Sequence, residues 1–393
     1  MNSNKKSWLT ATYAAIQFFF WFLYGTALAY ASPYLLACGL SNTVIGLISA
    51  AACALSVALQ PLVASYADQE ASPSVKVFLL IAAGGIAVFA LALAAAFGKS
   101  AIVNGLLLGA AMLLILLAFP FTNALAMETI NQGKPLQFSF ARAFGSIGYA
   151  VMSVTVGRLF AWKGAGVEPW ILLITSVCFF ISVFLFPFEK RKANSNNQQK
   201  TQTGILDFLR RYPSFAATLI GCVLIYYSHV IINNFTYQIV VTKGGTSEHM
   251  GTALALAGIL EVFTMIFFSR LLRWKDSSFW FRISGVFFTL KVLGTYLAPS
   301  IPILYLVQIF QPLGWGLMTV ASVYYVNELM KEQDRIKGQA YMTMSLSVAT
   351  IIGSLSGGWM IDTIGVNGML LAAVFCGALG ALIVLKSGRR ASA

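Results

Sequence analysis

The sequence predicts an all-α integral membrane protein with twelve transmembrane helices in two six-helix bundles. Three observations lead to this prediction. Hydrophobic residues make up 58% of the 393 residues and charged residues only 10%, against about 25% charged residues in an ordinary soluble domain. The apolar residues form long unbroken runs, such as Ile102–Ala118, and not the alternating strands of an outer-membrane barrel. One polar, basic segment separates two sets of six runs.

This composition excludes several classes of protein. So few polar residues cannot cover a water-facing surface, which rules out a soluble enzyme, a disordered chain and a nucleic-acid-binding module. A helix crosses the hydrocarbon core with about 20 residues. Twelve runs satisfy that length, and they lie at residues 8–31, 42–66, 75–97, 101–127, 138–160, 169–188, 213–241, 249–272, 279–298, 302–327, 338–361 and 366–386.

The polar segment predicts the domain boundaries. It contains the letters KRKANSNNQQKTQTG and lies halfway along the chain, as in transporters built from two six-helix halves. The predicted domains are an N-terminal bundle at 1–188, a cytoplasmic linker at 189–212 and a C-terminal bundle at 213–393. No internal sequence similarity between the halves is evident, so this division depends on helix count and linker position.

The distribution of cations predicts the orientation. Two of the 26 Lys and Arg, Arg142 and Lys291, lie near or within spans. With both termini and the linker on the cytoplasmic side, only four of the others fall on the outer side. These four are Lys99, Arg158, Lys163 and Lys243. The remaining 20 lie inside, as the positive-inside rule requires. The net charge of +13 is thereby explained without a nucleic acid or another anionic partner.

A few ionisable residues lie within or near the apolar runs, where a charge costs at least about 2.5–3.5 kcal/mol on insertion scales. Glu261 and Lys291 are predicted to form a proton-coupling pair, in which the carboxyl group exchanges a proton and the cation tunes its affinity. The alternative is a static bridge between helices. His229 and Arg142 are predicted to contact substrate, although the histidine could equally form a hydrogen bond to a neighbouring helix.

Uncharged amides lie in the same runs and can donate and accept hydrogen bonds without carrying charge. Five are candidates for substrate contact: Asn123, Asn233, Asn234, Gln308 and Gln311. The alternative role is hydrogen bonding between helices, worth about 0.6 kcal/mol each. The aromatic block FFFWFLYG at 18–25 could stack on a planar ligand or pack against lipid.

The loop after the second run carries a further signal, in the letters QPLVASYADQEASPSVK. Asp68 lies at its cytoplasmic end and Lys76 begins the next run. A carboxylate there can bind backbone amides or cations in one conformation and release them in another, so the two residues are predicted to belong to a gate. A capping or surface role is the alternative for Asp68.

Twelve spans, a 6+6 division and the pattern QPLxxxxxD resemble the major facilitator superfamily, in particular the branch of lactose permease and phenylpropionate permease. QFSFARAFGSIGYA resembles the start of the fifth helix in both and places Arg142 on an arginine important for sugar binding. The letters PFTNALA resemble a fourth-helix motif with Asn123 in place of an acid. SHVIINNF, AGILEVF and TLKVLG place His229, Glu261 and Lys291 on polar positions of the family.

The resemblance also has departures. The tenth-helix His and Glu that carry proton coupling in lactose permease are absent, and Gln308 and Gln311 lie in that region. The lactose-type relay therefore cannot be transferred to this chain. If protons are coupled, Glu261 is the candidate in the second half.

The resemblance implies a secondary transporter of the inner or plasma membrane that moves a sugar, nucleoside or aromatic acid by alternating access with proton symport. The expected partners are the solute, protons and membrane lipid, with the protein monomeric and without a cofactor or metal. A proton-coupled exporter, a uniporter and a membrane sensor are the alternatives. The sequence has neither clustered catalytic groups nor a nucleotide-binding loop, so an enzyme is not expected.

Overall fold

The computed structural model describes residues 3–67, 72–188 and 205–388. The described residues contain helices and turns but no strand. The helices are α1 (Ser3–Ala29), α2 (Ala31–Ala37), α3 (Asn42–Ala67), α4 (Val75–Ala96), α5 (Ala101–Asn131), α6 (Phe138–Lys163), α7 (Glu168–Leu185), α8 (Ile205–Arg211), α9 (Pro213–Asn234), α10 (Thr236–Thr242), α11 (Ser247–Leu271), α12 (Ser277–Leu297), α13 (Ile301–Val307), α14 (Leu317–Leu329) and α15 (Arg335–Ser387).

Nine helices of the described chain are long and apolar enough to cross a membrane. Their spans are Trp8–Ala29, Asn42–Tyr66, Val75–Ala96, Ala101–Asn131, Phe138–Lys163, Ala165–Leu185, Pro213–Asn234, Ile301–Leu329 and Glu332–Ser387. The exposed surface also carries many large apolar side chains, such as Ile81 at 63% and Val88 at 64% exposure on α4. A water-soluble protein does not expose apolar surface on this scale, so the chain is a multi-pass membrane protein.

Several predicted spans are interrupted in the structure. The run at 213–241 divides into α9 and α10 at Phe235, and the run at 302–327 divides into α13 and α14. The last two predicted spans form the single element α15, which is broken at Gly365, where φ is +76°. Glycine adopts this left-handed conformation at little cost. The all-helical class is confirmed, whereas the count of twelve and the cytoplasmic termini stay predictions.

The chain divides into two compact units. The first comprises residues 1–195 together with Thr246–Gly258, and the second comprises Asn196–Gly245 and Ile259–Ala393. The helix α11 therefore contributes its first half to one unit and its second half to the other. Residues 189–204 of the predicted linker lie outside the described part of the chain. The remainder of the linker contains α8.

The first unit is held together by a close approach of α1 and α6. A Cβ atom on Gly148 of α6 would lie 2.3 Å from the backbone oxygen of Phe18, so no larger residue fits there. The Tyr13 hydroxyl donates to the Thr122 carbonyl oxygen at 2.9 Å, and the Tyr30 hydroxyl donates to the Ser153 carbonyl oxygen at 2.6 Å. These contacts fix α1 against α5 and α6.

The second unit is built on a similar contact between α9 and α15. A Cβ atom on Gly380 would lie 2.7 Å from the carbonyl oxygen of Gly221. The rings of Phe281 and Tyr325 stack at 4.6 Å between α12 and α14. These contacts join α9 to α15 and α12 to α14, and these helices carry or flank most of the predicted second-half site residues.

A polar contact anchors the start of α9 to the turn before α15. Asp334 is 3% exposed. Its Oδ2 lies 3.2 Å from Arg211 Nη1 and accepts a hydrogen bond from the Tyr212 hydroxyl at 2.8 Å. Partial burial, together with the hydrogen bond to this carboxylate, raises the pKa of Tyr212, because both disfavour the phenolate.

Candidate functional site

Three buried or half-buried polar side chains form a chain of hydrogen bonds in the second unit, which we call the relay. Lys291 of α12 is 3% exposed and Gln311 is 5% exposed, while Glu261 of α11 is half-buried. The Lys291 ammonium donates to Gln311 Oε1, and Gln311 Nε2 donates to Glu261 Oε1. The amide thus connects a buried cation to a carboxylate, and the ammonium charge is balanced inside the unit.

Gln311 is held in place for this role by an irregular stretch of backbone. The regular helix ends at Val307, and the backbone N–H of Gln311 then donates to the backbone carbonyl of Gln308 at 2.9 Å. A π-helical turn follows at Pro312–Gly316. Proline has no N–H to continue the helical hydrogen bonds, and the Pro312 carbonyl accepts from Thr264 Oγ1 at 3.0 Å. Such π-helical turns are frequent at functional sites.

His229 of α9 lies in an aromatic box in the same unit. Its ring stacks on Trp315 at 4.5 Å with an interplanar angle of 12°, and it meets Phe288 edge-on at 5.2 Å. Its Nε2 is hydrogen-bonded to Asn233 Nδ2 at 2.7 Å. Nδ1 is buried and has no partner among the described residues.

The other two amides of the second half bind within the protein. Asn234 Nδ2 donates to Ser354 Oγ at 2.8 Å and so joins α9 to α15. Gln308 Nε2 donates to the Leu304 carbonyl of its own helix at 3.1 Å. The bond of Asn234 matches the predicted alternative, a hydrogen bond between helices, whereas that of Gln308 stays within one helix. Substrate contact by either amide stays a prediction.

Arg142 lies in a second polar cluster, in the first unit. Its guanidinium group is 4.5 Å from the ring centroid of Trp21 on α1. The Trp21 Nε1 atom is buried and has no partner among the described residues. A Cβ atom on Gly145 would lie 2.4 Å from Trp21 and 2.9 Å from the Arg142 guanidinium. Glycine at 145 therefore creates the space in which the cation and the indole meet.

Gln17 and Tyr13 extend this cluster along α1. Gln17 is 1% exposed, and its Nε2 donates to the Tyr13 hydroxyl at 2.6 Å. Gln17 Oε1 is buried without a partner among the described residues. Tyr13 in turn binds the carbonyl of Thr122, next to the half-buried Asn123. Gln17 is not among the residues predicted from the sequence, although an isolated amide in an apolar run is a usable signal.

The predicted gate is described only in part. Asp68 lies outside the described residues. Lys76 Nζ donates to the carbonyl oxygens of Phe184 at 2.7 Å and Phe186 at 2.8 Å. Lysine thus satisfies the terminal carbonyls of α7, as cations at helix C-termini commonly do. Its role in a gate stays a prediction.

Metal binding has no support from the described side chains. Among them, no group of three or more His, Cys, Asp and Glu could hold a metal ion.

Several known structures with the same fold are transporters. The nucleoside transporter NupG superposes with a TM-score of 0.79 at 16% identity, covering 96% of this chain and 98% of its own. A D-xylose-proton symporter superposes with a TM-score of 0.70 at 15% identity, covering 100% and 99%. A bacterial homologue of the human lysosomal transporter Spinster gives 0.68 at 11% identity, covering 99% and 98%. At these identities the likeness establishes the fold alone.

A family model assigns the sequence to a protein family. No curated protein matches the chain in sequence. The model described as the MFS_1 like family matches residues 10–371, which is most of the chain. This match agrees with the resemblance found in the sequence motifs, and the chain belongs to the MFS_1-like family, with the fold of major facilitator transporters.

Proposed function

We propose that the protein is a secondary active transporter that moves a small organic solute by alternating access, with proton symport. The relay carries this proposal. It contains a half-buried carboxylate, Glu261, joined through Gln311 to the buried ammonium group of Lys291. A group of this kind within a membrane protein is typical of ion pathways and proton relays.

The chemistry of the relay supports symport. With Glu261 ionised, the carboxylate balances the Lys291 ammonium and the relay is neutral. When a proton binds Glu261, the relay carries a net positive charge in surroundings of low dielectric constant, where electrostatic interactions are strong. An anionic or electron-rich solute then binds more tightly. Proton and solute therefore favour each other's binding, which is the thermodynamic requirement for coupling.

The solute that fits these features carries a planar ring and hydrogen-bonding groups, so we propose a nucleoside first, then an aromatic acid or a sugar. Trp315 supplies an aromatic ring in the second unit, and rings of this kind stack on nucleobases. His229 stacks on Trp315, and its Nδ1 has no partner among the described residues. NupG, a structural neighbour, is a nucleoside transporter.

The proposal also covers the membrane, the orientation and the oligomeric state of the protein. The excess of cations in the termini and the linker favours an inner or plasma membrane with both termini in the cytoplasm. The two predicted bundles, 1–188 and 213–393, then rock about the solute. The protein works as a monomer surrounded by lipid.

The proposal predicts the behaviour of Glu261→Gln in proteoliposomes. The amide keeps the size and hydrogen-bonding capacity of the carboxyl group but cannot ionise. We expect exchange of solute across the membrane to persist and accumulation driven by a pH gradient to be abolished. Glu248→Gln is the matched control, because Glu248 lies in the first turn of the same helix and its side chain is 50% exposed. Undiminished accumulation by Glu261→Gln would remove this residue from coupling and favour another carrier of the proton.

Removal of the connecting amide tests the relay itself. Gln311→Leu leaves the buried ammonium without its acceptor, which typically costs about 3–5 kcal/mol of unfolding free energy. Gln308→Leu is the control, since that equally buried amide only donates to its own helix and is worth about 1 kcal/mol. Thermal denaturation in detergent should show a clearly larger loss for Gln311→Leu. Equal losses would mean that the amide does not support Lys291.

The first-unit cluster predicts a binding defect. The ligand for this test comes from a screen of nucleosides, aromatic acids and sugars. It is the solute that most raises the melting temperature of the purified protein. Arg142→Ala removes a charged donor worth about 1.5–3 kcal/mol, so we expect the dissociation constant to rise about tenfold or more. Arg158→Ala is the control, because it lies on the same helix with its side chain 68% exposed. Wild-type affinity in Arg142→Ala would refute its contact with the solute.

A further inference from the structure

One fully buried acid lies outside both polar clusters. Glu168 is 0% exposed, and neither of its carboxyl oxygens has a hydrogen-bond partner among the described residues. It begins α7 directly after a short 3-10 turn at Ala165–Val167. The predicted sixth span, 169–188, begins one residue after Glu168.

The start of a helix normally stabilises a carboxylate, because backbone N–H groups point towards it. Here the next residue is Pro169, which has no N–H to donate. The structure shows no hydrogen bond from any other amide of the first turn to the Glu168 oxygens. The usual compensation for a negative charge is therefore missing.

The neighbouring polar groups do not compensate either. Among the described residues, Tyr30, Tyr34 and Cys38 interact electrostatically with Glu168. The Tyr30 hydroxyl donates to the Ser153 carbonyl, and the Tyr34 hydroxyl donates to Asn104 Oδ1, both at 2.6 Å.

The basic side chains of the two adjacent turns do not lie in the interior. Lys99 and Lys163, in the neighbouring loop and the last turn of α6, are both exposed. An ionised carboxylate with neither a cation nor a donor in a buried site is so unfavourable that the group takes up a proton instead.

Tyr30 connects this acid to a contact between helices in the first unit. Cβ atoms on Gly157 of α6 and Gly251 of α11 would lie 2.9 and 2.8 Å from the Tyr30 hydroxyl. Ser247 Oγ donates to the Gly157 carbonyl at 3.1 Å. The start of α11 is therefore packed tightly on the part of α6 that contacts Tyr30, and Tyr30 is one of the groups that interact electrostatically with Glu168.

We propose that Glu168 is a proton-binding site, distinct from Glu261, which holds its proton in this conformation and exchanges it with water when the start of α11 separates from α6. On separation the carboxyl O–H bond breaks, the proton passes to water and a carboxylate remains. The proton on Glu168 requires neither coupling at Glu261 nor a particular solute, whereas its exchange with water rests on the bundle motion of the proposed function. The two experiments below test these two parts separately.

Infrared spectroscopy of the purified protein tests for the proton. At neutral pH we expect a carbonyl band of a protonated carboxylic acid in the wild type. The band disappears in Glu168→Gln and persists in Glu248→Gln. A spectrum in which Glu168→Gln leaves this band unchanged would show that Glu168 carries no proton, and the proposal would be wrong.

Exchange into D2O tests the route. Gly251→Ala places a Cβ atom 2.1 Å from the Ser153 carbonyl oxygen, which forces α6 and α11 apart. Gly258→Ala is the control on the same helix, since its Cβ atom meets nothing nearer than 3.7 Å. We expect the deuterium shift of the Glu168 band to develop several-fold faster in Gly251→Ala than in the wild type or Gly258→Ala. Equal rates in all three proteins would contradict exchange by separation of these helices.

Discussion

A buried ammonium group must have its charge balanced nearby, and the polar interior of the second unit is organised around this requirement. Lys291 is almost fully buried and donates to Gln311, which donates in turn to Glu261. In hydrocarbon or protein interior an unbalanced charge is costly. The same requirement makes Glu261 chemically useful, because adding a proton to it changes the charge of the whole relay.

Irregular helix geometry makes this arrangement possible. Around residues 308–316 the helix loses its regular hydrogen bonds, and the π-helical turn at Pro312–Gly316 follows Gln311 directly and contains Trp315. Backbone of this kind is tolerated inside membrane proteins only where neighbouring groups satisfy it or where it lines a cavity. One bond from Thr264 to the Pro312 carbonyl supplies part of that compensation. The same break in the helix thus positions both Gln311 in the relay and Trp315, which stacks on His229.

The fold class was predictable because long apolar runs have few structural solutions in a membrane. The interruptions within those runs were not. Pro120 lies inside the continuous helix α5, whereas Pro312 adjoins a break, so proline alone does not tell where a helix ends. Likewise, Gly365 breaks α15 with a left-handed conformation, whereas other glycines of the same helix only allow close packing.

The site was predictable in its residue types and less so in its connections. Glu261 and Lys291 were expected to interact as a charged pair, but a linear sequence does not show that Gln311 would lie between them. The stack of His229 on Trp315 depends on the packing of α9 against the π-helical turn, which no local pattern encodes. Glu168 was missed because a turn and a proline flank it, and these features are typical of exposed loops.

The central claim is that solute and proton move together through this protein. Its most direct test is the flux of both in one preparation of proteoliposomes, with a pH-sensitive dye inside and a labelled solute outside, and no imposed pH gradient. The account predicts that an inward solute gradient acidifies the vesicle interior, and that a proton ionophore dissipates this acidification without stopping solute entry. Solute entry at full rate with no change in internal pH would contradict the account.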